Sequence, residues 1–189
     1  MRPTTEELDS RYSDPAASST PWDEAEERLA TAEVAWVVTV RPDGRPHSTP
    51  MVPVVWDGIV YFHTGSTEVK YANLLENPRV LILAGDTVWN HGLDVVVEGI
   101  ARPVSDNALL LRIAELFQTR WDGRWTLKIL DGGIVSGPGF EVVMFAVTPT
   151  KAFGHSKGDP FSQTTYRYEE SKMAGPHENP SRLGSHSTL

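Results

Sequence analysis

The sequence predicts a mainly β (α+β) fold, a small antiparallel barrel with a few flanking helices, and three observations carry that prediction. Asp43-Gly44 and Asp57-Gly58 are two-residue hairpin signals set between β-rich stretches. Arg79 to Ala84, Leu93 to Ala101 and Phe140 to Val147 are apolar runs with few alternating polar positions, as strands covered on both faces require. The alternation of strand and helix that a parallel sheet needs is absent, so the strands close into a small barrel rather than a doubly wound sheet.

Residues 1–19 are polar and read as a flexible arm, with order beginning near Thr20. Thr20-Pro21-Trp22-Asp23 has the form of an N-cap, a proline at the first helical position and an early acid, opening a helix that runs to about Ala32. Trp36–Val40, His47–Val55 and Ile59–Thr64 then form an antiparallel meander around the two Asp-Gly turns. With Asp57-Gly58 as the loop, Trp56 pairs with Ile59, Val54 with Tyr61, Val52 with His63 and Met51 with Thr64. Ser105-Asp106-Asn107 opens an amphipathic helix on which Leu109, Leu110, Ile113, Leu116 and Phe117 keep helical spacing. Residues 20–168 thus form one domain, and residues 169–189, rich in Ser, Pro, Gly and His, read as a disordered tail.

The turn Thr64-Gly65-Ser66-Thr67 joins the third strand of the meander to a short helix that Asn77-Pro78 stops, with Lys70 in its first turn. Two readings are open. Unpaired backbone N–H groups at a helix start, hydroxyls and a lysine make an anion site; alternatively Ser66 or Thr67 caps the helix and Lys70 is solvated. The register above brings the polar start of the second strand, His47-Ser48-Thr49, toward the same end of the sheet.

The chain holds 25 acidic and 17 basic residues, a formal net charge of -8, which opposes sequence-independent nucleic-acid binding. Cys is absent, so neither disulfides nor thiolate metal sites form. No charged-then-apolar leader opens the chain and no apolar run reaches the roughly 20 residues that span a bilayer, so a cytoplasmic protein without membrane contact is expected. The histidines are scattered without the i, i+4 spacing of a zinc site. Gly132, Gly133, Gly137 and Gly139 are not fed by a strand that leads into a helix, so they do not make a dinucleotide loop. Neither a Gly-x-Ser-x-Gly elbow nor a phosphate loop ending in Gly-Lys-Ser/Thr occurs. The chemistry is expected to come from a cofactor.

The run "VTVRPDGRPHSTPMVPVVWDGIVYFHTGSTEVKYANLLENPRVLIL", followed by "LDVVVEGIARPV", resembles the pyridoxamine 5′-phosphate oxidase-like split-barrel family, in particular its flavin/deazaflavin oxidoreductase branch. The likeness covers about Val34 to Tyr168 and rests on the order of its pieces. It implies a six-stranded antiparallel split β-barrel and a homodimer with FMN or the deazaflavin coenzyme F420 at the interface. The apolar strands around Val95–Val97 and Val142–Phe145 are the expected source of that interface. Carried over by position, His47, Ser48, Thr49, Pro50 and Met51 run beside the cofactor ring, while Thr64, Ser66 and Lys70 take its phosphate with Asn73 close by. Of the two readings of the turn, the resemblance implies the phosphate cradle.

The chain departs from vitamin B6 oxidases, which set an arginine in the second strand where this sequence has Ser48-Thr49-Pro50. The implied activity is therefore hydride transfer between the cofactor and a small conjugated substrate, with a non-catalytic flavin, deazaflavin or haem carrier as the alternative. His47 and His63 are candidate proton donors against a structural role on a β-face. Trp89 and His91 face the substrate or merely form a hairpin loop. Lys151, Lys157, Gln163 and Arg167 reach a cofactor or are solvated.

Overall fold

The computed structural model describes residues 1–121, 123–130, 133–137 and 139–169. In chain order the elements are β1 (Thr5–Leu8), a 3-10 turn (Ser10–Tyr12), α1 (Trp22–Thr31), β2 (Ala35–Val40), β3 (Pro46–Met51), β4 (Val54–Trp56), β5 (Ile59–Gly65), α2 (Val69–Glu76), β6 (Arg79–Ala84), β7 (Leu93–Pro103), α3 (Asn107–Arg120), β8 (Leu127–Leu130), β9 (Gly133–Ser136), β10 (Phe140–Ser156) and β11 (Ser162–Arg167). The expected mainly β fold with flanking helices is present, and the sheet is an open, split barrel. Its wall runs β3-β2-β6-β7-β10, then β5 and β4 beyond the other edge of β10, all antiparallel. That wall has seven strands against the six expected from the sequence, and β1, β11, β8 and β9 extend the sheet further.

The long strand β10 makes the split possible. It pairs with β7 along most of its length, while its other edge is shared between β5 at Val142–Val147 and β11 at Lys151–Ser156. A bulge between Pro149 and Lys151 bends it, because Pro149 has no N–H to give the ladder. Gly99 lies opposite Pro149, and a Cβ there would meet the Val147 side chain at 2.6 Å and the Thr148 carbonyl at 2.8 Å, so only glycine fits.

The second Asp-Gly turn forms as expected, with positive φ at both Asp57 and Gly58, and Val54 pairs with Tyr61 and Trp56 with Ile59. The rest of the expected register is corrected. Met51 pairs with Ala35, His63 with Met144 and Thr64 with Val143. Pro53 cannot donate to a ladder, so the predicted continuous strand His47–Val55 breaks into β3 and β4, which leave each other to pair with β2 and β5. That break is the seam of the barrel.

The expected start of order at Thr20 is also corrected. Thr5–Leu8 forms an edge strand on β11, with Thr5 opposite Arg167 and Leu8 opposite Thr164. Thr20 does not cap α1; its backbone N–H donates to the buried Thr164 hydroxyl at 2.8 Å. Trp22 at the start of α1 lies edge-on to Tyr166 and Tyr168, with ring centroids 5.1 and 5.8 Å away.

Two apolar clusters divide the interior. One joins α1 to the barrel through Trp22, Ala25 and Leu29 against Val37, Phe62, Ile82 and Tyr166. The other lies under α3, whose Leu110, Ile113 and Phe117 are buried against Val54, Tyr61 and Met144, as the helical spacing predicts. Asp106 caps α3 by accepting from the Leu109 N–H at 2.7 Å. Val95, Val97 and Phe145, the expected interface strands, are instead buried in the core of a single chain. Among the described residues no helix is long and apolar enough to cross a membrane, and no three acidic or histidine side chains gather as a metal site. The expected disordered tail lies, from residue 170 onward, outside the described residues.

Candidate functional site

At the seam of the barrel lies a cleft of about 560 Å³, within the size range of cofactor sites. The broken strand forms one side through Pro50, Met51 and Val52. The end of β5 and the start of α2 form another through His63, Gly65, Thr67, Glu68 and Lys70. Trp125, Phe140 and Val142 complete an aromatic and apolar side.

Lys70 is held in the first turn of α2 with only 7% of its surface exposed. Burying an ammonium is costly unless an anion meets it, and Glu68 supplies one. The Glu68 carboxylate accepts from Lys70 Nζ through Oε2 and from the Gly65 N–H through Oε1 at 2.8 Å. Burial pushes the Glu68 carboxyl up, but the Lys70 and Gly65 hydrogen bonds, the Lys70 charge and a weaker contact from the Thr64 hydroxyl together hold it below its usual value. Neither Ser66 nor Thr67 caps α2, since Glu68 occupies that position, and Lys70 is not solvated. The donors that the sequence gathers for an anion do converge, on an anion supplied by the chain.

His63 is half-buried on β5 and packs against the rings of Phe117 at 5.3 Å and Trp125 at 5.5 Å. Burial, with help from Lys70 and against the pull of Glu68, lowers its pKa to about 4. At neutral pH the ring is therefore uncharged and offers a hydrogen bond, not an imidazolium proton.

The remaining expected residues do not all meet at the cleft. Pro50 and Met51 line the cleft with Lys70. His47 and Thr49 share the inward face of β3 with Met51, and their Nδ1 and Oγ1 atoms are buried without a hydrogen-bond partner among the described residues. Ser48 points to the opposite face of that strand, as the period of two requires. Thr64 is buried behind the cleft wall, and Ser66 opens into a neighbouring pocket beside Glu141 and Val143. Asn73 is turned inward, where its Nδ2 donates to the Thr39 hydroxyl at 2.9 Å, and that hydroxyl lies 3.4 Å from the His47 carbonyl it donates to. It ties α2 to the sheet rather than lining the cleft.

Sequence reasoning missed Glu68, Trp125, Phe140 and Arg120. An acid at a helix start beside a lysine was the available signal for Glu68. Arg120, at the end of α3, donates to the carbonyls of Pro53 at 2.9 Å and Ala32 at 2.6 Å while lying 4.4 Å over the Trp121 ring. It fixes the broken strand whose neighbours Met51 and Val52 form the cleft wall. Trp89 is 84% exposed in the loop after β6, away from the cleft walls, and His91 follows it there, bonded to Asn90. Lys151 lies over the Phe153 ring, Lys157 pairs with Asp94 at 2.8 Å, Gln163 takes part in the β11 ladder, and Arg167 pairs with Glu7 on β1; none of them lines the cleft.

A family model described as pyridoxamine 5′-phosphate oxidase matches residues 21–151, more than half of the chain and all of the barrel wall from β2 to the bend of β10. The chain belongs to that family. Among solved structures, a conserved hypothetical protein from Mycobacterium tuberculosis superposes with a TM-score of 0.60 at 22% identity, covering 75% of this chain and 88% of its own. The FAD binding protein from Mycobacterium smegmatis follows with 0.54 at 24% identity, covering 71% and 95%. A protein named F420 reductase matches with 0.50 at 27% identity, covering 67% and 94%. No curated protein matches the chain. The pyridoxamine 5′-phosphate oxidase barrel is thus shared across these proteins, while the Lys70–Glu68 pair and the aromatic side of the cleft are features read from this chain itself.

Proposed function

We propose that the cleft holds a flavin-type cofactor, FMN or the deazaflavin coenzyme F420, and that the protein is an oxidoreductase acting on a small conjugated organic substrate. The observation that carries this reading is a buried lysine at one end of a cleft whose other side is aromatic, which suits a planar ring ending in a phosphate. The donor set fits. Lys70 and the Gly65 N–H already converge on a carboxylate, and the unpartnered His47 Nδ1 and Thr49 Oγ1 continue along the inward face of β3 from Met51. F420 is favoured over FMN because the similar protein with the highest identity described above is named an F420 reductase.

When bound, such a cofactor supplies two-electron hydride chemistry at its ring. The chain's part is to hold and screen that ring. Lys70 and the Gly65 N–H fix the anionic end. Met51, Val52 and Trp125 keep the ring position apolar, and neutral His63 offers a hydrogen bond beside it. No charged acid is needed at the wall.

The working unit in this reading is a homodimer, with the cofactor between two copies. Trp36 is 49% exposed on the outward face of β2, between Pro50 on β3 and Leu83 on β6. Pro50 also lines the cleft, so a copy seated on that face would reach the cleft mouth. The test is multiple turnover: reduced F420 should be oxidised by a panel of quinone and conjugated carbonyl acceptors at catalytic protein concentration. Tight binding of the cofactor with no turnover on any acceptor would instead favour a carrier.

A further inference from the structure

The cradle at the start of α2 is filled by the chain itself. The Glu68 carboxylate takes hydrogen bonds from Lys70 Nζ and the Gly65 N–H, the two donors best placed for an incoming anion. The two partners are not equally fixed. The Lys70 side chain is 9% exposed and anchored in the fold, whereas that of Glu68 is 47% exposed and can turn into solvent. Although Glu68 is the N-cap residue of α2, its side chain makes no capping hydrogen bond, so its departure leaves the helix start as it is.

Charge decides which ligand can replace it. The charged side chains among the described residues of the cleft wall are Lys70, Glu68 and Glu141, one cation against two anions. A phosphate monoester carries about -1.5 to -2 at neutral pH and meets that acidic surround at a cost. A phosphate diester carries a single charge on two free oxygens, the same charge and the same number of accepting atoms as the carboxylate it displaces.

We propose that Glu68 is a specificity-determining residue: its carboxylate is an internal anion that a cofactor phosphate must displace, and its persistence beside the cradle favours a phosphodiester, as in F420, over the phosphomonoester of FMN. This rests on the reading of the cleft as a cofactor site and goes beyond it by assigning the discrimination to one side chain.

The test compares wild type and Glu68→Gln by fluorescence titration with three probes, riboflavin, FMN and F420, at fixed pH and salt. Riboflavin lacks the phosphate and reads ring binding alone. The wild type should bind FMN little better than riboflavin. In Glu68→Gln, FMN should bind about tenfold tighter, F420 about threefold tighter, and riboflavin unchanged. Glu68→Ala, which also removes the charge, should repeat the pattern if the amide disturbs the turn. FMN affinity that stays level or falls in both variants, with riboflavin binding intact, overturns the role of Glu68 while leaving the cofactor site standing. A gain for F420 equal to that for FMN overturns the discrimination. Failure of all three probes to bind either form overturns the cofactor site, and this inference with it.

Discussion

Arg120 donates to the Pro53 carbonyl at 2.9 Å, and through that bond the end of α3 holds the break between β3 and β4 in place. A second bond, to the Ala32 carbonyl at 2.6 Å, fastens the end of α1 to the same guanidinium. Burial pushes the Arg120 pKa down, but an arginine remains charged at any pH of interest. Replacing it with Met keeps most of the volume and strands two carbonyls. We expect Arg120→Met to lose about 2 kcal/mol of stability, the cost of leaving such acceptors unpaired. Chemical denaturation checks this, and a variant as stable as the parent would remove the clamp.

The Lys70–Glu68 pair predicts the effect of losing the cation. Lys70→Ala should weaken binding of F420 by about 1.5–3 kcal/mol, roughly ten- to hundredfold, with the fold retained. Titration at low salt, where screening is least, is the measurement. Unchanged affinity would take Lys70 out of the site.

Acid should destabilise the protein through His63. Its folded pKa of about 4 lies below the ordinary 6.5, so the unfolded chain binds the extra proton between those values. Stability from the neutral ring is complete above about pH 6.5 and is lost as the pH falls toward about 4. The loss is on the order of 2 kcal/mol, discounted because the ring is partly exposed. His63→Phe keeps the contacts with Phe117 and Trp125 but cannot protonate, so its stability should change less between pH 7 and pH 4.5. An identical pH dependence in both proteins would assign the effect elsewhere.

The outward face around Trp36 predicts assembly. Light scattering at micromolar concentration should give twice the chain mass for the wild type and a monomer for Trp36→Glu, which buries a charge in the proposed interface. Weaker cofactor binding by the monomer would follow from the shared cleft mouth. A dimer that survives Trp36→Glu would move the interface to another face.

Which parts were legible in the sequence follows from where the determining forces act. The Asp57-Gly58 turn and the spacing of Leu110, Ile113 and Phe117 are local signals, and each produced the expected element. The strand break was less legible because Pro53 sits inside a β-rich run, and the break shows only in the pairing of its two halves with β2 and β5. β1 was missed because Thr5–Leu8 is acidic and polar and gains its strand only by pairing with β11, far along the chain. Lys70 was legible from its position in the first turn of a helix that follows a small polar turn. The carboxylate that faces it was not, since an acid at a helix start has a sufficient local explanation without any site. Trp125 lies outside any periodic segment and reaches His63 only in the folded chain.

The central claim is that the seam cleft binds a flavin-type cofactor through Lys70, with F420 preferred. Titrating F420 and FMN into the cofactor-free protein, each at low and high salt, tests it most directly. Tighter binding of F420 than of FMN at both salt concentrations is the predicted result. Stronger binding of FMN would contradict the preference, and no binding of either would contradict the claim itself.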